Sequence, residues 1–205
     1  AAGRGGRRRG GGAGGGARAV PEPAAAGAAY AQLQQGGIDV AVVDMSLRGA
    51  SGIEAIRRFL ARDAGLRVMV LSMHDSPGFV TQAMRAGALG YLTKSSEPAD
   101  MLDGIRDVAR GRRVLSPDVA QALASASLDG GSLMTRLTPR EFEVLRMAAT
   151  GEATQQIASL MHLSPKTVLN HLSMVRQKLG ADSDFKLLRL AVRHGLVDLA
   201  AEAAG

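Results

Sequence analysis

Apolar and polar positions follow two rhythms along this chain, and they change over near residue 116. Before that point, short β-branched runs alternate with amphipathic stretches. Ile38-Asp39-Val40-Ala41-Val42-Val43-Asp44 is apolar and ends in an acid. Gly52–Arg62 then spaces Ile53, Ile56 and Leu60 as one helical face. Leu66–Ser72 is a second strand candidate. Pro77–Gly87 puts Val80, Ala83 and Met84 on one side of a helix that Gly87 stops. Tyr91-Leu92-Thr93-Lys94 is a short strand. Asp100–Gly111 is an amphipathic helix with Met101, Leu102, Ile105 and Val108 inward. Strands alternating with helices at this spacing predict βαβ units and a parallel sheet. Runs that are apolar on both faces fit a sheet covered by helices on both sides. Chemistry in such sheets gathers at the carboxyl ends of the strands, which here carry Asp44, Ser72 and Lys94. Upstream, Ala24–Gln35 has helical composition and ends at Gly36-Gly37.

Beyond residue 116 the pattern turns all-helical. Ser116-Pro117-Asp118 starts a helix, with Pro at its first position. That helix is expected to fade into the Ser/Gly-rich stretch Ser125–Ser132, the best linker candidate. Thr138-Pro139-Arg140-Glu141 is a capping box, and the helix it opens runs to Gly151. A short helix follows from Thr154 to about His162. Ser164-Pro165 caps a third helix that Gly180 stops, and Ser183 starts a fourth ending near Gly195. In the third helix Val168, Leu172, Val175 and Leu179 form a buried stripe. Lys166, Asn170, Ser173 and Gln177 repeat that spacing on another face, with Leu169 and Arg176 at its border. A polar, partly basic helix start after a tight turn is what readout of a DNA major groove requires. By periodicity alone, the same face also fits a solvated surface.

Charge sharpens this only in part. The chain has 205 residues and a formal charge of +6, a sign that fits a nucleic-acid partner. Five arginines and no acid lie in residues 1–19, however, which leaves +1 for the rest. That segment holds only Gly, Arg and Ala and is expected to be a disordered tail. The hydrophobic fraction of 46% suffices for a core. The absence of cysteine excludes disulfides and thiolate metal sites and is compatible with the cytoplasm. No apolar run reaches the roughly 20 residues of a membrane span, so no membrane partner is expected. No metal cluster, P-loop or nucleophile–base arrangement is visible, so an enzyme is not expected. Ser72-Met73-His74-Asp75 does not build a hydrolase triad, because adjacent residues lack that geometry.

Particular motifs carry a resemblance. Leu137–Leu145, Gln156-Ile157-Ala158, Leu163–Val168, His171 and Lys178-Leu179-Gly180 resemble the LuxR-type helix-turn-helix over about residues 135–198. The resemblance implies that the helix from Ser164 to Leu179 enters the major groove, with Lys166, Thr167, Leu169, Asn170, Ser173, Arg176 and Lys178 as the DNA-binding residues. It also implies that the last helix makes a dimer contact. Many members carry a basic residue where Leu169 stands, and some where Ser173 does. Val42-Val43-Asp44, Gly49 to Gly52, Val70-Leu71-Ser72 and Gly90–Lys94 resemble the receiver domain of two-component response regulators. Together the two halves resemble the NarL/FixJ family. The expected architecture is an α/β receiver-like domain, a doubly wound parallel sheet with its first strand missing, followed by an all-α helix-turn-helix domain. The expected boundaries are 1–19 tail, 20–122 receiver, 123–134 linker and 135–198 DNA-binding domain.

The implied function is transcriptional regulation in the cytoplasm. The implied partners are double-stranded DNA bound as a homodimer and a histidine kinase that phosphorylates Asp44. Ser72 and Tyr91 would switch on phosphorylation, and Lys94 would pair with the phosphate. Such receivers also need Mg²⁺, held by an acidic pair after the first strand together with the phosphoacceptor. No Asp or Glu precedes Glu22, so Asp44 is left with an incomplete Mg²⁺ site. Phosphorylation is therefore expected to be severely impaired, since a divalent ion is the main charge-neutralising device in phosphoryl transfer. The alternatives are a degenerate receiver serving as a protein-interaction module and a truncated gene product.

Overall fold

The computed structural model describes residues 37–45, 51–128 and 132–197. The tail, the helix expected over Ala24–Gln35, the absence of a first strand and Gly49 all concern residues outside that set. Among the described residues four parallel strands form a sheet in sequence order: β1 (Val40–Asp44), β2 (Arg67–Ser72), β3 (Gly90–Thr93) and β4 (Val114–Leu115). Asp44 is level with Leu71, and Ser72 with Thr93, so the strand ends converge at one edge.

Helix α1 (Gly52–Arg62) starts at Ser51, whose hydroxyl accepts the Glu54 N–H at 3.0 Å. Helix α2 (Pro77–Ala86) ends at Gly87, where φ is 112°. Helix α3 (Pro98–Ala109) covers one face of the sheet, burying Val108 against Met69 and Leu92, with Met101 and Ile105 alongside. Leu102 does not join them. It is 55% exposed, because the close approach is made at Gly104, where a Cβ would come within 3.3 Å of Leu92. On the other face Val68, Val70 and Tyr91 are fully buried.

Helix α4 (Pro117–Leu128) runs further than the linker expectation allowed. The segment is rich in Ala and Leu, and Ser127 returns its hydroxyl to the Leu123 carbonyl four residues back, at 2.8 Å. A single 3-10 turn (Leu133–Arg136) leads into α5 (Pro139–Ala149), α6 (Thr154–Met161), α7 (Pro165–Leu179) and α8 (Asp184–Arg193). The capping box is present: Thr138 Oγ1 accepts the Glu141 N–H, and Glu141 accepts the Thr138 N–H at 2.8 Å. Val144, Met147, Ile157, Met161, Val168 and Leu172 make the core of this second half.

The halves touch along a surface that periodicity did not indicate. Helix α2 buries a second face, Phe79 and Gln82, under the 3-10 turn and α5. Gln82 Nε2 donates to the carbonyls of Met134 and Leu137, both at 2.8 Å. Arg85 donates to Thr135 O. Phe79 meets Phe142 edge-to-face at 5.1 Å, and Arg140 lies 3.6 Å from Glu54. Gly78 permits the approach, since a Cβ there would sit 3.1 Å from Met134.

Candidate functional site

The first site lies at the strand ends. Asp44 closes β1, and Lys94 follows β3, where its N–H is fixed on Ser72 O at 2.8 Å. The Lys94 ammonium reaches Asp44 Oδ2 at 2.5 Å, and both side chains are about 30% accessible. Ser72, fully buried, accepts the His74 N–H on its hydroxyl at 3.0 Å. Tyr91, fully buried one strand over, donates its phenol O–H to His74 O at 2.7 Å. Burial pushes that phenol up to about 12, with the charge of Asp75 adding to the effect, so it remains a neutral donor. Ser72 and Tyr91, the two expected switch residues, therefore hold the backbone N–H and C=O of the same residue, His74. The His74 ring stacks on Phe79 with centroids 4.6 Å apart, and Phe79 in turn meets Phe142 of the helical half. The sequence pointed to Ser72 and Tyr91 but not to His74, Phe79 or Phe142. Their link depends on contacts between residues as far apart as 79 and 142.

Asp44 is the one expected Mg²⁺ ligand that lies among the described residues. Among the described residues no group of three or more His, Cys, Asp or Glu is placed to hold a metal ion. The Asp44 carboxylate is already met by an ammonium. No step is routed through a metal.

The second site is α7. Ser164 caps it, accepting the Thr167 N–H at 3.1 Å, and the Thr167 hydroxyl is 2.8 Å from Ser164 Oγ. Thr167 thus serves the cap. Val168, Leu172, Val175 and Leu179 are buried, whereas Lys166, Leu169, Asn170 and Ser173 are exposed. Two of the expected phosphate contacts are engaged elsewhere. Lys178 donates to both Glu141 oxygens, at 2.9 and 2.6 Å, which ties the end of α7 to the start of α5. Arg176 pairs with Asp184 of α8. Burial alone would raise the Glu141 carboxyl. The Lys178 ammonium, with the Thr138 N–H and hydroxyl, outweighs it and holds the carboxyl below its ordinary value.

Residues 135–191 match the family described as bacterial regulatory proteins, luxR family, and residues 16–106 match the response regulator receiver domain. The chain is 38% identical over 165 residues to the response regulator GacA of Pseudomonas aeruginosa, covering 79% of this chain and 77% of that one. This chain belongs to the NarL/FixJ family of response regulators. It joins a receiver domain to a LuxR-type DNA-binding domain. The response regulator UvrY of Escherichia coli is 33% identical over 162 residues, 78% of this chain and 74% of that one. Among solved structures, RcsB from Salmonella enterica serovar Typhimurium, bound to the promoter rprA in the presence of a phosphomimetic, superposes with a TM-score of 0.63. The identity there is 25%, over 80% of each chain.

Proposed function

We propose that this response regulator binds specific double-stranded DNA as a homodimer in the cytoplasm, facing it with Lys166, Leu169, Asn170 and Ser173. The supporting observation is the division of α7 into a buried apolar stripe and an exposed stripe. The receiver half meets the helical half through α5 and the 3-10 turn, and that contact leaves the exposed stripe uncovered. Lys166 supplies phosphate contact, and Asn170 matches the donor–acceptor pair of an adenine edge. Lys178 and Arg176 act by holding α7 against its neighbours. Fluorescence anisotropy on sites selected from random duplexes tests the reading. A preferred site with steep salt dependence is expected, and equal binding to all sequences would refute it.

Asp44 is the phosphoacceptor position facing a histidine kinase, and Ser72, Tyr91 and Lys94 are its sensors. A phosphoryl group on Asp44 draws the Lys94 ammonium and the Ser72 hydroxyl to its oxygens. The His74 N–H is then released, and the aromatic stack carries the change to Phe142. The only acids before Asp44 in the sequence are Glu22 and Asp39, which supply no adjacent acidic pair for a divalent ion, so acceptance is expected to be severely impaired. Intact-mass analysis after a small phosphodonor and Mg²⁺, on this chain and on Asp44→Asn, checks it. No adduct on either is expected, and an adduct on the unmodified chain alone would overturn the impairment.

A further inference from the structure

The exposed stripe of α7 has an unusual centre. Lys166, Leu169, Asn170 and Ser173 follow i, i+3, i+4, i+7 spacing and so form one continuous patch. Leu169 lies in the middle of it and is 55% exposed, while the apolar stripe behind is buried. It therefore adds little to the core. The cations on this helix are also committed: Lys178 to Glu141 and Arg176 to Asp184, which leaves Lys166. The patch that meets the groove thus has a single cation, Lys166, at its start and carries an aliphatic side chain beside a carboxamide at its centre.

Base edges in the major groove differ in what they offer. Guanine presents two acceptors, cytosine an amino donor, adenine an acceptor and a donor, and thymine an acceptor and a methyl group. An aliphatic side chain pressed on a guanine or cytosine edge removes water from polar atoms and returns no hydrogen bond, which is costly. The thymine methyl is the one edge feature that gains from such a contact. Asn170 next to it fits adenine, because its amide can donate to N7 and accept from N6 at once. We infer that Leu169 is a specificity-determining residue that selects thymine by its 5-methyl group, in an A·T step shared with Asn170. This rests on the DNA-binding reading of α7 and names the base class it selects.

The test uses the full chain. Its preferred duplex is selected from a random library, and each thymine in it is replaced singly by deoxyuridine. That substitution removes only the methyl and keeps the hydrogen-bonding edge. One position per half-site should bind roughly fourfold more weakly, the factor for losing one buried methyl-sized contact. In Leu169→Ala the same deoxyuridine substitution should have no effect. Because Leu169 is exposed, that variant should retain the thermal unfolding of the parent chain. A selected core of G·C pairs, indifference to deoxyuridine at every thymine, or a loss that persists in Leu169→Ala would each overturn the inference and leave DNA binding intact. Failure to select any preferred duplex would overturn the DNA-binding reading and the inference with it.

Discussion

Gln82 is fully buried, and its amide joins the halves of the chain. Gln82→Leu keeps much of the side-chain volume and deletes both hydrogen bonds to the 3-10 turn. Each such bond contributes about 1 kcal/mol net, and a buried carbonyl left without a partner costs about 1–3 kcal/mol. The deficit is softened on both carbonyls. Met134 O also accepts the Leu137 N–H at 3.3 Å, and Leu137 O has a long contact of 3.4 Å from Arg85. The substitution also removes Gln82 Oε1, which is buried without a hydrogen-bond partner. These terms combine to a destabilisation of about 2 kcal/mol, roughly thirtyfold in the unfolding equilibrium. Urea unfolding followed by circular dichroism measures it, and amide exchange locates it. Protection should fall over residues 133–142 and hold in β2, because the loss lies at the contact between halves. DNA affinity should stay within about twofold, as the exposed stripe of α7 shares no partner with Gln82. A variant as stable as the parent, with unchanged exchange over 133–142, would refute the assignment of Gln82 as the clamp.

Three further outcomes follow from the same geometry. Lys166→Met should lower the slope of log affinity against log salt by about 0.9, whereas Lys178→Met should weaken binding with the slope unchanged; a lowered slope in Lys178→Met would make that lysine a phosphate contact. The Glu141 carboxyl sits below its ordinary value of 4.5 in the folded chain. Its stabilisation is therefore complete above that pH and is lost as pH falls through the lower folded value. Acid unfolding of Glu141→Gln should lack that dependence, and identical acid profiles would contradict it. Tyr91 is raised to about 12, so its contribution is complete below pH 10 and disappears as pH climbs through the folded value. Ultraviolet titration should show a phenolate step near 12 that is missing in Tyr91→Phe, and a Tyr91 step near 10 would count against its burial.

Short-range features were legible in the sequence. The Thr138–Glu141 box, the Ser164 cap, the Gly180 stop and the buried stripe from Val168 to Leu179 all depend on groups within a few residues of one another. So do the strand runs that end at Asp44 and Ser72. Periodicity alone identifies which face is apolar, and for α7 that was sufficient. It could not reveal that α2 has two covered faces, because Gln82 is polar and the carbonyls it satisfies belong to a turn 52 to 55 residues away. Nor could it tell a lysine meant for phosphate from one bound to a carboxylate 37 residues earlier. It counted Leu102 as core, although Gly104 brings the sheet closer and leaves the leucine outside. A charged or amide side chain takes its role from its partner, and partners distant in sequence meet only once the chain has folded.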